Sequence, residues 1–131
     1  MPFAVLDDSD RCPCLSGETY GNCCGPFHHG DSSAPTAERL MRSRYSAYVV
    51  GDEAYLLSSW HPRTRPEMVE PDPDMRWYRL DIVSTRRGGL LDEDGIVEFR
   101  AFFRSPDGRG EQHEVSRFVR EGRNWRYLDA Q

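Results

Sequence analysis

Cys12, Cys14, Cys23 and Cys24 are the only cysteines of the chain, and all four lie in one short segment, CPCLSGETYGNCC, residues 12–24. Thiols this close in sequence have three chemical uses: holding a soft metal ion, exchanging disulfides, or forming a structural crosslink. Pro13 fixes a backbone angle between the first two thiols and helps hold them apart on a tight bend. Gly17, Gly21 and Gly25 permit sharp turns, and Ser16 can bond the local backbone, so the segment reads as a knuckle that returns on itself. Four thiolates converging from such a loop suit the closed tetrahedral site of structural zinc. A disulfide between adjacent Cys23 and Cys24 would be strained, and the Cys-x-x-Cys spacing of redox pairs is absent. His28 and His29 follow closely enough to replace a thiol in the ligand set or to support it from outside.

A second group of residues can do chemistry further along. Arg44 falls between Met41 and Tyr48 on an apolar helical stripe, so it either sends its charged head to water or lines a cavity as a buried cation. Tyr48, Trp60, His61, Trp77 and His113 are the other polar or aromatic candidates for such a cavity. A histidine there can act as a general base near neutral pH, and Arg44 can hold an anion. Both histidines also have structural uses, His61 as the end of a helix and His113 on a sheet edge. No carboxylate pair or nucleophile-base spacing stands out.

The elements that must position these groups follow from periodicity. Thr36 is an N-cap, Glu38 sits in the first turn, and Gly51 lies just past the end of a helix whose apolar face is Ala37, Leu40, Met41, Tyr45, Tyr48 and Val49. Asp52 caps a second helix running to Trp60, and His61 precedes Pro62, which moves it out of helical geometry. Pro62, Pro66, Pro71 and Pro73 make the following segment loop, with one helical turn expected from Pro66; it is a natural rim or lid. Strands then alternate: Tyr78, Leu80 and Ile82 against Trp77, Arg79, Asp81 and Val83; Val97, Phe99, Ala101 and Phe103 against their neighbours; His113, Val115, Arg117 and Val119 against Glu114, Ser116 and Phe118. Helices followed by hairpin-linked strands predict an α+β domain, an antiparallel sheet covered on one face by helices. Twist and bulges curve such a sheet, and a helix across its concave side leaves a conical pocket.

Composition sets limits. At 131 residues the chain fits one domain, which buries roughly two thirds of its unfolded surface without disulfide staples. All 17 basic residues are arginine, which excludes a Schiff-base lysine and a phosphate loop ending in Gly-Lys. Net charge is -5, and residues 1–31 carry Asp7, Asp8, Asp10, Glu18 and Asp31 against Arg11 alone, so nucleic acid is not an expected partner. No apolar run reaches the roughly 20 residues of a membrane helix and no signal-peptide pattern opens the chain, so a cytoplasmic protein without a membrane partner is expected.

CPCLSGETYGNCC resembles the SEC-C motif, a small zinc module found at the C-terminus of the SecA translocation motor and in other bacterial proteins. Cys12, Cys14, Ser16, Gly17, Cys23 and Cys24 carry the likeness. The resemblance implies zinc as cofactor, with Cys12, Cys14, Cys23 and Cys24 as its ligands. The SecA module is lysine-rich and engages an acidic chaperone surface or the ribosome, whereas Glu18, Thr19, Tyr20, Gly21 and Asn22 offer no basic group. The runs PTAERLMRSRYSAY, SWHPRTRP and HEVSRFVREGRNWRYLD, with Glu98 and Phe99, resemble the YchJ family of small bacterial proteins. That resemblance implies a SEC-C segment, residues 1–31, followed by a cone-shaped nuclear transport factor 2-like domain, residues 32–131. The expected function is a zinc-binding module that docks a protein partner through the knuckle or receives a small molecule in the cone. The alternative is an enzyme using the cone for acid/base chemistry, as another member of this fold does.

Overall fold

The computed structural model describes residues 3–131. After a knuckle ending in a short 3-10 turn at Tyr20–Asn22 come helices α1 (Gly25–His28), α2 (Ala37–Val50) and α3 (Glu53–Ser58). Four strands follow: β1 (Arg76–Arg87), β2 (Asp94–Ser105), β3 (Gly108–Glu121) and β4 (Asn124–Ala130). They form one antiparallel sheet in the order β1-β2-β3-β4. This is the α+β architecture that the order of helices and strands predicts.

Both ends of α2 are built as the sequence indicates. The Thr36 hydroxyl accepts from the Arg39 N–H at 3.1 Å, and Gly51 closes the helix in the left-handed region at φ 72°. A side chain at Gly51 would also collide with the Phe3 ring. Asp52 caps α3 by accepting from the Tyr55 N–H at 3.0 Å.

One apolar core joins the parts. Leu40, Met41 and Tyr45 of α2 pack on Leu80, Val97, Phe99, Ala101, Phe118 and Trp125 of the sheet, and the same cluster runs on into Tyr20, Phe27 and the cysteines. Where α2 begins, the Ala37 N–H donates to the Gly88 carbonyl at 2.9 Å. A Cβ at Gly95 would lie 2.5 Å from Gly88 Cα, so this close approach requires glycine.

Two expectations are corrected. Trp77 is on the same face as Leu80 and Ile82, because the register shift between Trp77 and Arg79 breaks the simple alternation of β1. The helical turn expected from Pro66 is absent. The chain turns earlier, where the His61 carbonyl accepts from the Thr64 and Arg65 N–H groups, and continues as loop to β1.

Candidate metal centre and cone cavity

The knuckle is assembled by backbone bonds. The Cys12 N–H donates to the Glu18 carbonyl at 3.0 Å, the Leu15 N–H to Cys12 at 3.2 Å, and the Tyr20 N–H to Asp10 at 2.7 Å. Gly21 donates to the Asp8 carbonyl so closely that a Cβ there would meet Asp8 at 2.6 Å. The turn brings the sulfurs of Cys12, Cys14, Cys23 and Cys24 within 4.8 Å of one another, all buried. Cys14 and Cys23 Sγ are 3.6 Å apart, and Cys23 and Cys24 Sγ 3.9 Å, far beyond a disulfide bond. The four cysteines are free thiols and form a group that can hold a metal ion.

The surroundings hold this cluster from two sides. Ser16 Oγ lies 3.1 Å from Cys23 Sγ, and Ser46 Oγ of α2 lies 3.6 Å from Cys12 Sγ. Arg42 donates from Nη1 to the Cys14 carbonyl at 2.6 Å while pairing with Glu38 at 3.0 Å. His28 is committed elsewhere: Nε2 donates to the Ser43 carbonyl at 2.8 Å, so Nδ1 is the acceptor for the Tyr20 hydroxyl at 2.6 Å. Burial pushes His28 below its ordinary value, which keeps the ring neutral. His29 packs edge-on against Tyr20 with centroids 6.2 Å apart and is outside the thiol group.

The thiols differ in their readiness to ionise. Hydrogen bonding from Cys12, then Cys24, holds Cys14 far below its usual range. Hydrogen bonding to Cys12 and Cys14, with burial, pushes Cys24 far up, and burial lifts Cys23 to about 11. Cys14 is thus the thiol favoured to ionise, while Cys23 and Cys24 resist, and a bound divalent cation would offset that resistance.

On the sheet side of α2 lies a cavity of about 260 Å³. Arg44, Tyr45 and Tyr48 enter it from α2, Trp60 from the end of α3, and Trp77 and Phe99 from the sheet. Gln112, Glu114, Ser116 and Tyr127 complete the polar side of the wall. Arg44 is 5% exposed, and its head is inside the protein. Nη1 donates to the Leu56 carbonyl at 2.8 Å and to Ser59 Oγ at 2.6 Å, and the Trp60 and Tyr127 ring centroids lie 5.0 and 4.7 Å from its Cζ. Burial pushes the guanidinium below its ordinary value. Glu114 accepts from Ser116 at 2.5 Å, Tyr127 at 2.9 Å and Gln112 at 3.0 Å. Tyr45 Oη and Trp60 Nε1 are buried without a hydrogen-bond partner among the described residues, each at a cost of about 1–3 kcal/mol.

Of the six residues expected to face a cavity, Arg44, Tyr48, Trp60 and Trp77 line this one, and His61 and His113 do not. The His61 backbone N–H donates to Tyr127 at 2.8 Å, its Nδ1 accepts from Arg63, and its Nε2 meets Glu121 at 3.2 Å, so it ties α3 to the last hairpin. His113 is on the convex face, paired with Glu98 at 2.6 Å, because Gln112 and Glu114 on either side point inward. Glu114 and Ser116 were legible as wall residues, since they alternate in phase with Phe118, the large apolar residue of β3. Tyr45 and Tyr127 carried no signal separating a cavity wall from core.

Among the described residues, no helix is long and apolar enough to cross a membrane. Residues 9–26 match the SEC-C motif, and residues 36–130 match the family described as YchJ, middle NTF2-like domain. A UPF0225 protein of Streptomyces coelicolor is 51% identical over 120 residues, covering 92% of this chain and 94% of that protein. One from Corynebacterium glutamicum is 48% identical over 117 residues, covering 89% and 93%. Among solved structures, a SEC-C motif containing protein from Rhodopseudomonas palustris superposes with a TM-score of 0.79 at 31% identity, covering 92% of this chain and 96% of that one. Another from Psychrobacter arcticus has a TM-score of 0.75 at 30% identity, covering 93% and 82%. With the motif, the cone and these relatives in agreement along its length, the chain belongs to the YchJ-like family of UPF0225 proteins.

Proposed function

We propose that the protein is a zinc-stabilised binding protein, with one structural zinc on Cys12, Cys14, Cys23 and Cys24 and a small-molecule ligand in the cone. The convergence of the four sulfurs carries the zinc reading. Zinc bound to four thiolates at about 2.3 Å spaces tetrahedral sulfurs about 3.8 Å apart. Two of the six sulfur pairs, at 3.6 and 3.9 Å, bracket that value, and all six lie within 4.8 Å. All four positions are protein ligands, so the metal has a structural rather than catalytic role. Native mass spectrometry of protein isolated without chelators tests both parts. One zinc per chain, with thiols alkylated only after chelation, is the expected outcome; metal-free protein with freely reactive thiols overturns it. A co-purifying small molecule places weight on the cone.

A protein partner at the knuckle is the companion reading, supported by Leu15. It follows Cys14 directly, is 56% exposed, and has a left-handed backbone at φ 64° that is rare for leucine. L15S should leave zinc content unchanged and reduce recovery of any partner captured by the wild type. Acid/base catalysis in the cone has a narrower basis. Glu114 is the one carboxylate among the described lining residues, and its oxygens already accept three hydrogen bonds.

A further inference from the structure

We propose that the cone cavity binds a small organic monoanion, a carboxylate on a flat apolar body, with its charge held by Arg44. This rests on the ligand-binding reading above and names the class of ligand. Arg44 is a buried cation whose hydrogen bonds both leave from Nη1 and end on neutral oxygens. Among the described residues no carboxylate forms an ion pair with it, and Nε and Nη2 make no hydrogen bond. Trp60 packs against the guanidinium, and its Nε1–H is also without a partner. Tyr45, 3% exposed, belongs to the same wall, and its hydroxyl is likewise buried without a partner among the described residues. Burial raises the Tyr45 phenol above its ordinary value, so it remains a protonated donor.

The uncommitted nitrogens of Arg44 are N–H donors beside one amide acceptor, Gln112 Oε1, so the occupant that complements the charged side of the wall is rich in acceptors. Glu114 does not fill that role, because Ser116, Tyr127 and Gln112 already occupy its oxygens. Its charge, which acts on Arg44 without pairing with it, disfavours a second anionic group on the ligand. The aromatic walls supplied by Tyr48, Trp77 and Phe99 select a flat apolar body, and about 260 Å³, just below the usual range of ligand sites, limits it to a small one.

The test is a titration of the zinc-loaded full chain with benzoate, and separately with the neutral benzyl alcohol, followed by NMR of the tryptophan indole N–H groups. Trp125 is an internal control, since its Nε1 donates to the Pro35 carbonyl at 3.2 Å and it does not line the cavity. Benzoate should shift the Trp60 and Trp77 signals, leave Trp125 in place, and bind at least about tenfold more tightly than benzyl alcohol. Folded R44M should lose that preference; if R44M does not fold, the comparison of the two compounds on the wild type decides. Equal binding of both compounds overturns the anion class and leaves the ligand-binding reading standing. No shift of Trp60 or Trp77 with either compound at millimolar concentration overturns both, and a response confined to Trp125 does the same.

Discussion

At the scale of single residues, the buried side chains divide into those that the fold satisfies and those that it leaves open. His28 belongs to the first group. Its ring is neutral in the folded chain, with a pKa lowered from 6.5 by burial. The unfolded chain therefore takes up the proton first, so this contribution is complete above about pH 6.5 and is lost as the pH falls from there towards the lowered folded value. In saturating zinc, H28Q keeps a donor for the Ser43 carbonyl but cannot titrate. Denaturant unfolding from pH 7.5 to 5 should show a flatter loss of stability in H28Q than in wild type, by about one proton at most. Tyr45 belongs to the second group. Y45F removes a buried hydroxyl that has no partner and should raise stability by about 1 kcal/mol, read as a higher urea midpoint at unchanged slope. The thiols show how far sequence alone reaches: their spacing and types announce a metal cage, because all four are local. His113 shows the opposite limit, since which way a strand residue points depends on the register of its neighbours.

At the scale of elements, α2 is the part that both sites share. Arg42, Ser43 and Ser46 hold the knuckle or its neighbours, while Arg44, Tyr45 and Tyr48 line the cavity. A helix cannot shift one face without the other, so chelation of the metal should loosen amide protection along Arg42–Tyr48 and weaken benzoate binding several-fold. Hydrogen exchange with and without chelator measures the first effect, and the indole titration the second. The caps of α2 and α3 were readable because Thr36, Gly51 and Asp52 act within a few residues of chain. Trp77 was readable as a cavity candidate, but its sharing a face with Leu80 was not, because the bulge beside it is a property of β1 and β2 together. The turn after His61 was likewise set by tertiary bonds, with His61 held to Tyr127 and Thr64 to the Leu128 carbonyl.

At the scale of the whole molecule, the boundary expected near residue 31 does not interrupt the core. Buried residues are continuous from Cys12 through Tyr20, Phe27 and Leu40 to Phe118 and Trp125. Loss of the metal should therefore lower the stability of the entire chain instead of melting a separate knuckle. C14S is expected to lose bound zinc and to cost about 3 kcal/mol or more, with one calorimetric transition at a lower temperature. Two separated transitions would show that knuckle and cone are independent. The cage has one further consequence. Its four cysteines are complete by residue 24, whereas the sheet that packs against α2 ends at Ala130. During synthesis the cysteine turn emerges first and can close through short-range contacts, while β1 to β4 must wait for the end of the chain. If the turn holds the proposed zinc, metal supply would act at birth: a chain that acquires its ion early would present a preformed surface on which the late strands can condense.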